Sequence, residues 1–244
     1  WFAYRQRLQR PYLFDLIGGV GGMGIFFGRI ANFINGELVG RIAPEGTPWT
    51  IKFPQDILQW PSSSPERLAS LAESAATLPE MSREKYLQLL SDIEQNPSLR
   101  GQLYGILEKI VLSIQNGNTA TKTAIAGVLD ARYPSQLIAA AFEGLFIFLI
   151  LLAVSYKPRK PGVVGSLFLV LYASFRIFTE RFRLPDAHLG FQALGLTRGQ
   201  WLSIGMLLIS VIIFVSYARR GGLSIPGWGR SQNIKLNRRS GSSP

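Results

Sequence analysis

Four polar residues that could do chemistry stand together in "GRIANFINGELVG", residues 28 to 40: Arg29, Asn32, Asn35 and Glu37. They follow directly on a glycine-rich apolar run. A second set, Arg176, Glu180 and Arg183 in "FRIFTERFRLPD", falls at i, i+4 and i+7, the spacing of one helix face. A further carboxylate, Glu143, lies two turns inside another apolar run. Ionisable groups at membrane depth are costly unless they pair or line a polar cavity. Guanidinium binds phosphate through paired N–H donors. An arginine from each of two apolar segments therefore suits a lipid phosphate, with the asparagines and Glu37 holding a polar headgroup or each other. Glu143 is a candidate partner for one of the arginines. A structural polar cluster closing a helix end accounts for the same residues equally well.

Other chemistries are excluded by composition. The chain has no cysteine, so it has no disulfide and no thiolate metal site. His188 is its single histidine, which rules out a multi-histidine metal centre within the chain. It sits in a loop after a helix-ending "LP" and is a poor choice of base. No metal or cofactor is expected. "GVGGMG" matches the spacing of a dinucleotide-binding loop, but no strand–turn–helix surrounds it. Gly18/Gly22 and Gly24/Gly28 read better as small-xxx-small pairs that let helices approach in lipid.

The elements that must position these residues are apolar. The 244 residues have a mean hydropathy of +0.18, and four runs have the length of a membrane helix: 12–28, 137–156, 162–178 and 201–218. The first and third are weakened by Asp15 and Arg176. The net charge of +11 would allow nucleic-acid binding, but its distribution argues against that. Arg5, Arg7 and Arg10, then Lys157, Arg159 and Lys160, then Arg219, Arg220, Arg230, Lys235, Arg238 and Arg239 form three clusters without acids, each abutting an apolar run. Four spans put all three clusters on one side, the cytoplasmic one by the positive-inside rule. The near-neutral segment 41–134 then falls outside and reads as a small helical insert. Ser64 before Pro65 and Ser82 are expected helix caps, and Leu103, Ile106, Leu107, Ile110 and Val111 form an apolar helix face. Ser135 is the expected cap of the second span. The first helix is expected to break near Gly28 or Gly36. The polar tail is expected to be disordered.

The expected fold is all-α: a polytopic helical membrane protein of about four transmembrane helices. Its segments are 1–40, the insert 41–134, the spans of 135–218 and a basic cytoplasmic tail, 219–244. Residues 1 to 10 look like the cytoplasmic end of a span whose earlier part is missing.

"GRIANFINGELVG" resembles the signature of the prolipoprotein diacylglyceryl transferases, bacterial membrane enzymes. Arg29, Asn32, Phe33, Asn35, Glu37 and Gly40 match it. "YPSQL" with "FEG", "ERFRLPDAHLG" and "GQWLSIGM" agree in order and spacing, so the resemblance runs from about residue 10 to 218 and skips the insert. It implies transfer of diacylglyceryl from phosphatidylglycerol to the lipobox cysteine of a prolipoprotein signal peptide, in the bacterial inner membrane. It implies a catalytic set of Arg29, Glu37 and Arg183, with Arg29 and Arg183 on the headgroup phosphate. Asn32, Asn35, Gly40, Ser135, Gln136 and Glu143 would complete the substrate site, and Glu180 would hold an arginine in place. Two departures stand out. The family's His-Gly-Gly motif would precede this chain, and Tyr133, Ile138 and Ala139 replace a His, a Tyr and a Glu. The isolated chain is therefore expected to be inactive. A phospholipid-binding or translocating protein without catalysis is the alternative.

Overall fold

A computed structural model describes residues 1–6, 9–184, 192–221 and 224–228. Arg7, His188 and the basic tail from Arg230 onward lie outside the described residues. The principal helices are α1 (Arg10–Asn35), α2 (Arg83–Gln95), α3 (Arg100–Gln115), α4 (Thr119–Ala126), α5 (Ser135–Val154), α6 (Val163–Thr179) and α7 (Arg198–Arg219). Among the described residues extended backbone pairs only as isolated bridges. The protein is an all-α polytopic membrane protein.

Three helices, α1, α5 and α7, are long and apolar enough to cross a bilayer. The third expected span, α6, has 17 residues, at the short end of what a crossing needs. Helix α1 is longer than its apolar run of 12–28. It continues through Gly28 for another two turns, so the expected break falls at Gly36 and not at Gly28. Leu16, Ile17, Val20 and Phe27 on α1, and Leu202, Leu208, Ile209 and Ile212 on α7, face outward. Apolar side chains turned away from the protein are what a lipid environment selects.

The chain divides into two compact units. The first contains the described parts of Trp1–Arg29, Ile138–Arg181 and Ala187–Pro244. Its helices meet through glycine. A side-chain carbon on Gly18 would lie 2.7 Å from the Gly165 Cα, and one on Gly22 would lie 2.9 Å from the Gly144 carbonyl. Gly144 in turn leaves room for Phe26, one turn further along α1. The Gly18/Gly22 pair thus packs helices as expected. Gly24 and Gly28 do not: each faces open space. They fall on the other side of α1, because 24 and 28 are rotated well away from the 18–22–26 stripe. Asp15 is also accounted for. Its two carboxylate oxygens accept the backbone N–H groups of Gly162 (2.7 Å) and Gly165 (2.8 Å), capping the start of α6 from a neighbouring helix.

The second unit contains Ile30–Leu137 and the described part of Phe182–Asp186. Helices α2, α3 and α4 and the short turns of 54–75 enclose a core around Ile57, Leu71, Tyr86, Leu107 and Ile110. The five expected apolar positions of α3 are all buried. Tyr86 is fully buried and donates its hydroxyl to the Leu68 carbonyl at 3.1 Å; burial pushes its phenol pKa up. Ser82 caps α2 by accepting the Lys85 N–H at 3.2 Å. Ser64 makes no capping bond, because a 3-10 turn follows Pro65 instead of an α-helix.

Replacing Gly18 by Leu is expected to lower stability in detergent by about 1–3 kcal/mol, since the side chain must enter a backbone contact. Gly24→Leu, facing open space, is expected to change it little. Thermal unfolding of the two variants checks this.

Candidate functional site

Each unit holds its own group of the residues singled out in the sequence. In the first unit the group is a chain of charges at the inner surface of the helices. Gly18, Gly22 and Phe26 set the contact face of α1, and Arg29 continues it by one more turn. That places Arg29 Nη2 at 2.9 Å from Glu143 Oε2. Glu143 lies within a π-helical stretch, Ala140–Phe146, inside α5. A π turn inserts a residue into the helix and re-aims the side chains around it, a device common at functional positions. The other carboxylate oxygen, Oε1, accepts from Arg176 Nη1 at 3.1 Å and from the Thr179 hydroxyl, both on α6. Arg176 also reaches Glu180 Oε2 at 3.0 Å, one helical turn on, although not in hydrogen-bonding alignment. Glu180 Oε1 accepts the Thr197 hydroxyl at 3.2 Å.

Glu143 is fully buried, while the side chains of Arg29 and Arg176 keep 17% and 16% of their surface exposed. Two guanidiniums and two carboxylates balance in charge. Buried ions are tolerated when paired and hydrogen-bonded: Glu143 is hydrogen-bonded through both oxygens, and Glu180 through Oε1, with Arg176 as the ion partner of its Oε2. Gly199 completes the enclosure. A side-chain carbon there would lie 2.5 Å from Glu180 Oε1, so glycine is what lets the start of α7 close over Glu180. The start of α7 is fixed by a capping box between Thr197 and Gln200.

The second unit contains the remainder. Helix α1 ends in a Schellman motif: Gly36 has φ +68°, its N–H reaches the Phe33 carbonyl, and the Glu37 N–H reaches the Asn32 carbonyl. Asn32 and Asn35 are thus helical, and Glu37 lies just beyond the end. The chain then runs beside two other segments. The Arg41 N–H donates to the Phe182 carbonyl (2.9 Å) and the Tyr133 N–H to the Arg41 carbonyl (3.1 Å). Gly40 and Arg183 face each other in an antiparallel bridge. Gly40 has to be glycine, because any side-chain carbon would collide with the carbonyls of Tyr133 and Phe182. Arg132, paired with buried Asp56, donates to the Gly40 carbonyl at 3.0 Å. Burial raises the Asp56 carboxyl from its ordinary value, and Arg132 pulls it back only in part.

Two expectations need correction. Arg183 does not share a helix face with Arg176 and Glu180. Helix α6 stops at Thr179, and Arg183 sits on extended backbone with its carbonyl bound by Arg41 Nε at 2.8 Å. The i+7 spacing has meaning only while the helix persists. Ser135 does not cap α5; it is the first helical residue and donates its hydroxyl to the Leu38 carbonyl at 3.0 Å. Gln136 Nε2 donates to the neighbouring Glu37 carbonyl at 2.7 Å. The "SQ" of α5 thus binds the loop after α1. Sequence reasoning missed Thr179, Thr197, Gly199 and the Asp56–Arg132 pair. Only "FTER" carried a usable hint, a hydroxyl beside charges on one helix.

A family model described as prolipoprotein diacylglyceryl transferase matches residues 1–216. The chain belongs to the prolipoprotein diacylglyceryl transferase family. Similar proteins named phosphatidylglycerol–prolipoprotein diacylglyceryl transferase include one from Bdellovibrio bacteriovorus, 49% identical over 98% of this chain and 67% of its own length. Those from Photorhabdus laumondii and Rhodospirillum rubrum are 36% and 33% identical over 91% and 93% of this chain, and 58% and 57% of their own lengths. The chain thus spans about two thirds of the first family member and less than three fifths of the other two.

Replacing Glu143 by Leu leaves two guanidiniums without their shared anion. The expected cost is about 3–5 kcal/mol, the usual penalty for breaking a buried pair. Glu180→Gln is expected to cost less, because Arg176 keeps Glu143. Chemical denaturation of both variants in detergent distinguishes the two costs.

Proposed function

We propose that this protein transfers the diacylglyceryl group of phosphatidylglycerol to the cysteine thiol of a prolipoprotein lipobox. The observation that carries the reading is the enclosed Arg29–Glu143–Arg176–Glu180 chain inside an apolar helical unit of a member of this family. Charge this costly is kept in lipid where it serves a polar ligand or a proton. In the reaction the thiolate sulfur attacks the glycerol carbon, a C–S bond forms, and the C–O bond to phosphate breaks. Glycerol phosphate leaves with the electron pair. Charge grows on the departing phosphate, and guanidinium is suited to meet it. Arg29, held by Glu143, and Arg183, presented beside Gly40, are the proposed phosphate ligands. Asn32, Asn35 and Glu37 are proposed to contact the headgroup. Glu180 is proposed to position Arg176. The proposed location is the bacterial inner membrane, with the basic loops cytoplasmic and the insert 41–134 outside.

A phospholipid-binding protein without catalysis is the second reading, favoured by Tyr133, Ile138 and Ala139 at positions where the family pattern has His, Tyr and Glu.

Incubating the full-length protein with phosphatidylglycerol and a lipobox peptide is expected to add one diacylglyceryl mass to the peptide. Lipid binding with no transfer would select the second reading. Arg29→Ala and Arg183→Ala are each expected to lower transfer on the order of 100-fold while membrane insertion is retained. Undiminished transfer by either variant removes that arginine from the site.

A further inference from the structure

Two amide side chains in the second unit lie against one turn and are left with an unused acceptor. The turn is Gly36–Glu37, directly after α1. Gln136 holds it from α5 through the bond from Nε2 to the Glu37 carbonyl (2.7 Å). Its other amide atom, Oε1, is buried and has no hydrogen-bond partner among the described residues, although the residue as a whole is only 2% exposed. Gln55, at the start of the turns of the insert, lies over Gly36. A side-chain carbon on Gly36 would come within 2.5–2.8 Å of its amide atoms. Gln55 Oε1 is likewise buried and without a partner.

A buried carbonyl oxygen without a donor is destabilising. The bond to the Glu37 carbonyl accounts for the Gln136 amide nitrogen, but nothing accounts in the same way for either carbonyl oxygen. Both oxygens are acceptors, so the missing group is a hydrogen-bond donor and not an anion. In the reaction proposed above, the lipid substrate carries one part of that kind: the headgroup glycerol, with two hydroxyls.

We infer that Gln136 Oε1 and Gln55 Oε1 accept hydrogen bonds from the headgroup glycerol hydroxyls and select a polyol headgroup. The inference rests on the proposed substrate. It assigns headgroup selection partly to Gln55, a residue of the insert outside every block that resembles the family signature. The glycine at 36 has a second reason beyond its positive φ, since it leaves the space that Gln55 occupies. A site that hydrogen-bonds a hydroxyl rejects the analogue lacking it, because its own polar groups are then stranded.

The test compares phosphatidylglycerol with phosphatidylpropanol, which has the same phosphate and carbon count and lacks both hydroxyls. Binding of the full-length protein is measured in nanodiscs containing either lipid in a neutral background. The wild type is expected to prefer phosphatidylglycerol by at least about 10-fold. Gln136→Met and Gln55→Met are each expected to bring the preference down to about 3-fold or less, with phosphatidylpropanol binding retained. Gln55 makes no bond to the turn, so its variant remains informative if Gln136→Met fails to fold. A purely structural role would weaken both lipids equally and leave the ratio unchanged, which overturns the inference. A wild type indifferent to the hydroxyls overturns it too. The readout is binding, so a failure of transfer leaves this result standing and counts against the proposed reaction only.

Discussion

The first unit depends on one buried anion. Glu143 is fully enclosed, and each of its oxygens is committed: one to Arg29, the other to Arg176 and Thr179. In an apolar surrounding an uncompensated carboxylate would be excluded or neutralised. It is tolerated here because two cations from two different helices reach it. The requirement also works in reverse. Two guanidiniums this close repel unless an anion separates them, so α1 and α6 can approach at this depth only with Glu143 between them. Everything nearby follows from delivering that carboxylate. The π turn aims it, Gly144 beside it admits α1, and Gly18 and Gly22 set the distance at which Arg29 arrives.

The second unit meets a different constraint, the saturation of backbone groups where the chain leaves a helix. Gly36 ends α1 with a left-handed residue, and the carbonyls that follow are taken up in turn: Glu37 by Gln136, Leu38 by Ser135, Gly40 by Arg132. Three of the residues that resemble the family signature thus act through main-chain groups. Gly40 is there because two carbonyls crowd its Cα. Ser135 and Gln136 are there because they donate to the Leu38 and Glu37 carbonyls, which the end of the helix leaves without an intrahelical partner. Resemblance to a catalytic block does not by itself make a residue a ligand: these three hold the loop that carries Glu37, and of them Gln136 keeps a further acceptor, Oε1.

Much of the architecture was legible from periodicity. The apolar runs, the buried face of α3, the cap at Ser82 and the Gly18/Gly22 contact all follow from local pattern, and all are present. The misreadings have a common origin. The i+7 spacing puts Arg183 on a helix face only if the helix runs past Thr179, where it ends. Spacing alone gives Gly24 and Gly28 a packing role, but both face open space. Ser64 and Ser135 have the right residue type for a cap, but a 3-10 turn follows one and the other is already helical. Spacing predicts which residues share a face. It does not say where an element stops or which face finds a neighbour.

What the sequence determined by itself is the class of environment and the inventory of charge. Apolar runs of bilayer length and basic clusters at their ends are set by composition, because lipid imposes the same rule on every segment. The presence of Glu143 and Arg176 inside such runs, and of Arg29 and Glu180 just beyond their ends, already demanded pairing. Tertiary structure alone decided the pairing. Glu143 is separated from Arg29 by 114 residues and from Arg176 by 33, and no local rule chooses between them. It takes both, since a carboxylate has two oxygens and the glycine contacts bring both helices within reach.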